Sequence, residues 1–220
     1  MNRLVHLPAT VLYARSIILI LILIVELLGP VLRCVIKNGT CRLNTPEPLM
    51  STNLPEAELI RLWERHTELE FATKDAVATV ATMTPNSYVN HVPVMTGGRG
   101  ADELIEFYGK HFITKMPADT ALRLLTRTVG NNRVIDEFVF TFTHDIVMDW
   151  MLPGVRPTNR KVEIPMVAVV QFEGDKIACE RIYWDQASVL VQIGLLQADS
   201  LPVTGVAQTR KFENPQLPSK

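Results

Sequence analysis

Several acids, imidazoles and phenols in this chain stand inside apolar runs, where burial would move their proton affinities toward catalytic use. Val134, Asp136, Phe138, Phe140, Phe142 and His144 alternate along one stretch. If it is a strand, one aromatic face carries a carboxylate at one end and an imidazole at the other. Asp185 ends a later β-like run just before an apolar helix, which suits either a pocket acid or the helix N-cap. Glu180 has the opposite strand parity to Asp185, so both face one pocket only if a bulge intervenes. His91 lies near Tyr88 on an extended piece between helices and either enters a cavity mouth or shapes a turn with Pro93. Asp136 suits a pocket acid or a partner for Arg127 or Arg133, and Tyr183 and Trp184 suit packing or pocket walls. His66 and His111 read as helix-face residues.

The missing motifs narrow the chemistry. No G-x-S-x-G elbow, H-E-x-x-H pair, cysteine ligand pair or acidic calcium loop is present. Gly97, Gly98 and Gly100 precede a helix but follow no buried βα unit, so they do not form a dinucleotide fingerprint. Acid–base catalysis without a metal or cofactor is the expectation. With 22 basic and 23 acidic residues there is no basic field for nucleic acid. Cys179 reads as a small buried apolar residue, while Cys34 and Cys41 could pair only in an oxidising compartment.

These residues need a scaffold. Pro55 suits a first helical turn, and Leu59, Leu62, Trp63 and Leu69 follow at helical spacing. A second helix is expected over Lys74–Met83, broken by Thr84-Pro85-Asn86-Ser87, and a third over Ala101–Phe112 after an extended Tyr88–Met95 and a glycine turn. The period then changes to two. Strands are expected over Ala121–Val129, Val134–Thr143, Val162–Phe172 and Lys176–Trp184, with a helix over Ala187–Leu196 and an irregular tail over 201–220. Helices segregated from a run of antiparallel strands imply an α+β fold, and a curved sheet over helices encloses a pocket.

The first 49 residues are of another kind. The apolar run beginning at Ile17 is interrupted by Glu26, Gly29 and Pro30, short for a bilayer span of roughly 20 residues. Three readings stay open for residues 1–49: a membrane anchor through 16–33, a signal peptide, or an upstream segment before a natural start at Met50. Location is accordingly membrane-anchored, or cytoplasmic if translation starts at Met50. Asn38-Gly39-Thr40 is a glycosylation sequon if its side is lumenal. The pocket domain is expected over 50–200.

Thr141-Phe142-Thr143-His144 with Pro157-Thr158-Asn159-Arg160-Lys161-Val162, and Gly174-Asp175-Lys176-Ile177 through Glu180, Trp184 and Asp185 to Gln192-Ile193-Gly194-Leu195, together resemble the SnoaL-like polyketide cyclases of the nuclear transport factor 2-like and ketosteroid isomerase-like superfamily. The resemblance runs from about Pro55 to Leu196. It implies a cone-shaped α+β barrel, three N-terminal helices on a strongly curved, mostly antiparallel sheet. It also implies catalytic roles for Asp185 as general acid/base and His144 as its pocket partner. Tyr88, His91, Asp136, Phe140, Glu180, Tyr183 and Trp184 would then bind substrate, a carbonyl-rich small molecule, in a homodimer without cofactor. Isomerase, dehydratase, lactone hydrolase and non-catalytic binding modules occur on the same fold. Asn159 stands where the family has glycine, and asparagine tolerates the left-handed conformation such a turn needs.

Overall fold

The computed structural model describes residues 33–37, 40–44 and 53–219, and the chain divides into two units, residues 1–51 and 52–220. In the first unit, β1 (Arg33–Lys37) pairs antiparallel with β2 (Thr40–Asn44), with Cys34 opposite Leu43 and Cys41 opposite Ile36. The expected apolar span, apart from Arg33, lies outside the described residues, as do Asn38 and Met50. Among the described residues no helix is long and apolar enough to cross a membrane.

The second unit is α+β, with a six-stranded curled sheet that does not close into a barrel. Its first helix, α1 (Glu56–Glu68), buries Leu59, Trp63 and His66, a stripe at spacings of four and three. A wider π-helical turn, Leu69–Thr73, carries that stripe on, so Leu69 and Glu70 are buried too. Lys74 stops it in the left-handed conformation (φ 58°), and Asp75 caps α2 (Ala76–Ala81) by accepting the Ala78 N–H at 2.9 Å.

Sequence and structure part at the next junction. Thr84-Pro85-Asn86-Ser87 does not form a loop but lies within β3 (Met83–His91), and the glycine stretch forms β4 (Thr96–Arg99), antiparallel to β3. The register is interrupted between Met83 and Tyr88, which is how a strand accommodates Pro85. At Gly97 φ is 139°, and a Cβ would lie 2.0 Å from the Val89 carbonyl oxygen. Only glycine lets β3 and β4 approach there.

From β4 the chain enters α3 (Gly100–Glu106), extended by a π-turn over Phe107–Phe112. The remaining strands are β5 (Ala121–Gly130), β6 (Arg133–Thr143), β7 (Lys161–Glu173) and β8 (Lys176–Trp184). Sheet order is β4-β3-β8-β7-β6-β5, antiparallel except for the parallel pair β3 and β8. The inner faces of β6, β7 and β8 pack against α1 and α3 in a core that includes Phe138, Phe140, Ile164, Met166 and Ile182.

The segment between β6 and β7 buries Met148, Trp150, Met151 and Leu152, so it is a packed cap rather than a surface loop. Asn159 is left-handed (φ 55°), and its N–H and that of Thr158 both donate to the His144 carbonyl. After α4 (Gln186–Gln192) the tail is not irregular: α5 (Ala207–Glu213) docks on β7 through Thr209, whose hydroxyl donates to the Glu163 carbonyl at 2.7 Å. The tail lacks a strong apolar stripe, and this single buried hydroxyl does not stand out in its sequence.

Gly97→Ala should destabilise the domain by at least ~2 kcal/mol, since the added methyl meets fixed backbone. Urea denaturation of the two proteins measures this; a loss below about 0.5 kcal/mol would mean that β3 and β4 are not tightly paired.

Candidate active site

The sheet and helices enclose a cavity of about 510 Å³ walled by aromatic side chains, including Trp63, Phe107, Phe112, Phe138, Phe140 and Trp150. Set in this apolar wall is a group of ionisable residues. Glu70 and Tyr108 reach it from the helical side and Glu180 from β8, all three lining the cavity, while His66 stands behind them. Their exposures are 5 % for Glu70, 1 % for Tyr108, 3 % for Glu180 and 0 % for His66. His66 Nε2 lies 3.0 Å from Glu180 Oε1 and 3.3 Å from Glu70 Oε1. The Tyr108 hydroxyl donates to Glu180 Oε1 at 3.1 Å.

Hydrogen-bond bookkeeping settles the imidazole. The Thr82 hydroxyl donates to the Thr79 carbonyl at 2.7 Å, so at 2.6 Å from His66 it accepts, and Nδ1 carries a proton. Nε2 faces two carboxyl oxygens and carries one as well, making an imidazolium. Burial, the largest single influence, presses its pKa down; the attraction of Glu180 and Glu70 and the bonds to both together outweigh it and raise the pKa to about 10. Burial raises the proton affinity of Glu70 against the lowering pull of His66. The Tyr108 phenol is pushed well above its ordinary value by burial and by the nearby Glu180 and Glu70, so it stays protonated.

A second polar group lies elsewhere on the wall. Arg127 binds Asp136 through two bonds of 2.7 and 2.8 Å, and Trp63 Nε1 donates to the same carboxylate at 2.8 Å. Arg127 also reaches Glu64 at 3.0 Å. Asp136 thus lines the cavity and, of the two arginines expected, partners Arg127 rather than Arg133. This is a closed set of bonds that ties α1 to the sheet. A carboxylate with a bidentate guanidinium and an indole donor has little capacity left for proton transfer.

His91 differs again. Thr96 donates to the Trp150 carbonyl at 2.5 Å and so accepts from His91 Nδ1 at 3.2 Å. This leaves Nε2 as an acceptor on a ring that lines the cavity. Phe107, Phe112, Trp150 and Trp184 surround it with centroids 5.1 to 5.7 Å away, and burial drops its pKa to about 3. It is a neutral hydrogen-bonding group at physiological pH. The Trp150 indole N–H is buried without a protein partner.

Of the residues singled out from sequence, His91, Asp136, Phe140 and Glu180 line the cavity. The rest do not. Asp185 is exposed and caps α4, accepting from Ala187 and Ser188 N–H at 3.0 and 3.3 Å and from the Ser188 hydroxyl at 2.7 Å. The register of β7 on β8 is continuous from Glu180 to Trp184, so no bulge turns both acids to one side. His144 is buried past the aromatic part of β6, bound through Nδ1 to Thr158 at 3.2 Å, and burial lowers its pKa. Tyr88 accepts from Arg181 at 3.4 Å and lines a separate shallow groove; Tyr183 is exposed at the strand end; Trp184 donates to Gln186 at 2.6 Å. The sequence reading passed over His66, Glu70 and Tyr108. One signal was present: Leu59, Trp63, His66 and Glu70 occupy a single helical stripe, so two ionisable groups shared the inward face.

The two histidines give stability opposite pH dependences. His91 has a folded pKa of about 3, below its ordinary 6.5, so the unfolded chain takes up a proton that the folded one refuses, and stability falls as pH drops from 6.5 toward 3. His66, raised from 6.5 to about 10, contributes fully below 6.5 and loses that contribution as pH rises to about 10; raised Glu70 acts in the same direction. Each single-proton limb approaches about 1.4 kcal/mol per pH unit. Urea denaturation across pH 4 to 10 should show a maximum near neutrality, with His91→Phe making the acid limb shallower and His66→Gln the alkaline one.

Known proteins place this architecture. Among curated proteins none matches the chain. Solved structures share its fold at low identity: a candidate SnoaL-like polyketide cyclase from Jannaschia sp. CCS1 (18 % identity, TM-score 0.51, 64 % of this chain and 95 % of that one) and a candidate polyketide cyclase from Xanthomonas campestris pv. campestris (15 %, 0.52, 63 % and 98 %). AclR, a candidate hydroxylase from Streptomyces galilaeus, aligns at 17 % identity and TM-score 0.50 over 71 % of this chain and 95 % of that one. Residues 63–180, from the tryptophan that holds Asp136 to the glutamate that holds His66, match the SnoaL-like domain, and the chain belongs to that family.

Proposed function

We propose that this domain is an acid–base enzyme that moves a proton at a carbon next to a carbonyl in an uncharged, ring-bearing small molecule, as polyketide cyclases and isomerases do. The single observation that carries the proposal is the group of Glu70, Glu180 and Tyr108 facing an aromatic cavity, with His66 bound behind them. The roles expected of Asp185 and His144 pass to these side chains.

Glu70, with its raised proton affinity, takes the proton from carbon. Tyr108 turns its O–H from Glu180 to the substrate oxygen and stabilises the enolate. Glu180, anchored by His66, holds the imidazolium charge beside the reacting centre. In a ring closure the enolate carbon attacks a second carbonyl and the resulting alkoxide takes the proton back from Glu70; in an isomerisation the proton returns to another carbon. Among the described residues Arg127 is the one lysine or arginine on the cavity wall, and it is occupied by Asp136 and Glu64, so the described wall offers no free cation to a carboxylate or phosphate. Assembly as a homodimer through the outer face of the sheet belongs to the same proposal.

Exchange of α-protons tests the chemistry without the natural substrate. The protein is incubated in D₂O with aryl-substituted 1,3-diketones and exchange is followed by NMR. Exchange above the buffer rate is expected, reduced at least ~100-fold by Glu70→Gln. Asp185→Asn should leave the rate within about threefold, because asparagine is an equally good helix cap. Loss of exchange in Asp185→Asn but not in Glu70→Gln would return the acid/base role to Asp185. Ligand binding without any exchange would make the domain a binding module.

A further inference from the structure

We infer that His66, Glu70 and Glu180 form a binding site for one divalent transition-metal ion, of the zinc, manganese, iron(II) or cobalt(II) type. The ligand atoms all lie within 4.8 Å of one another, with Nε2 3.0 Å and 3.3 Å from the two carboxylate oxygens. An ion about 2.1 Å from Nε2 and from each of these oxygens would subtend angles of about 90° and 105° at those two separations, values found between ligands of octahedral and tetrahedral metal sites.

Three further features favour an ion. The Thr82 hydroxyl accepts from Nδ1, which orients the ring and directs Nε2 at the carboxylates, the outer-shell arrangement that metal-bound histidines use. The groups that meet His66 from the other elements bring no positive charge: Glu70 from the π-turn after α1, Glu180 from β8 and Tyr108 from the π-turn after α3. Two carboxylates facing one imidazole almost wholly out of water are costly unless positive charge joins them. Two protons neutralise the set, or one divalent cation with a neutral imidazole does. Proton and metal thus compete for the same Nε2 lone pair. Finally, two of the three ligands, Glu70 and Glu180, line the cavity, so an ion held by them and His66 would be open to a ligand there. Motif searches miss the set because its third ligand comes from a strand far along the chain.

The inference concerns the same three side chains as the proton-transfer proposal, with the ion taking the place of the proton between them, and its test needs no substrate. The full chain is titrated with Zn²⁺ and Co²⁺ by calorimetry at pH 7.5, in two buffers of different ionisation enthalpy, and the visible spectrum of the Co²⁺ form is recorded. One ion per chain is expected, with release of about one to two protons and visible Co²⁺ bands. Glu180→Gln and His66→Gln should weaken binding at least ~100-fold. Thr82→Val, which keeps all three ligands, should weaken it ~10- to 100-fold. Circular dichroism checks that each variant is folded, and the proton release and Co²⁺ spectrum of the unaltered chain carry the test if one is not. Binding unchanged by these variants would place the ion on the surface, for instance at His111 and Asp149 (3.4 Å apart), and overturn the inference. No binding at millimolar metal, or binding without proton release, would overturn it equally.

Discussion

His66, Glu70 and Glu180 are held almost wholly out of water, and a buried charge persists only where opposite charge and hydrogen bonds replace its hydration. That requirement orders much of the domain. The inward stripe of α1 must face the inner side of β8, because Glu180 is the partner His66 needs at 3.0 Å. The π-turn after α1 keeps Glu70 on the same face, and the one after α3 brings in Tyr108. The joint between α2 and β3 supplies Thr82, which fixes the ring from behind. Four separate segments thus converge on one imidazole.

The other charged set on the cavity wall shows what a purely architectural solution looks like. Asp136 receives a bidentate guanidinium and an indole N–H, and so has most of its acceptor capacity taken by the protein. It joins helix to sheet at little electrostatic cost. The imidazole group is short of positive charge by comparison. It must hold a shared proton or attract a cation, and that imbalance is what makes it chemically interesting. A neutral His91 in its aromatic surround adds a third character, a hydrogen-bonding group that does not change charge near neutral pH.

The sequence motifs that carry the family resemblance turn out to be largely structural. Asp185 caps α4; Gln192 exchanges two hydrogen bonds with the backbone of Glu163 at 2.9 and 3.1 Å; Gly194 leaves room for the Arg160 guanidinium. Together they clamp α4 and the end of the domain onto β7. A clamp of this kind holds the sheet's shape while the cavity wall varies around it, which is why kinship read from these residues indicates the fold more closely than the reaction.

Strand alternation over Val134–Thr143 was legible in the residues, as were the hairpins and the α+β class, because each depends on local period or local turn residues, while the left-handed Asn159 was expected only through the family's glycine at that position. Parity also placed Glu180 and Asp185 on opposite sides before any coordinates. Periodicity could not show that β3 lies parallel beside β8, or that the glycine stretch is a strand, since both depend on pairing between distant segments. Nor could it separate His66 from an ordinary helix-face histidine. Its stripe shows that it points inward; only the arrival of Glu180 from far along the chain decides that it is charged. Local sterics determine which way a side chain faces, whereas its proton affinity depends on what the rest of the chain brings within about 4 Å of it.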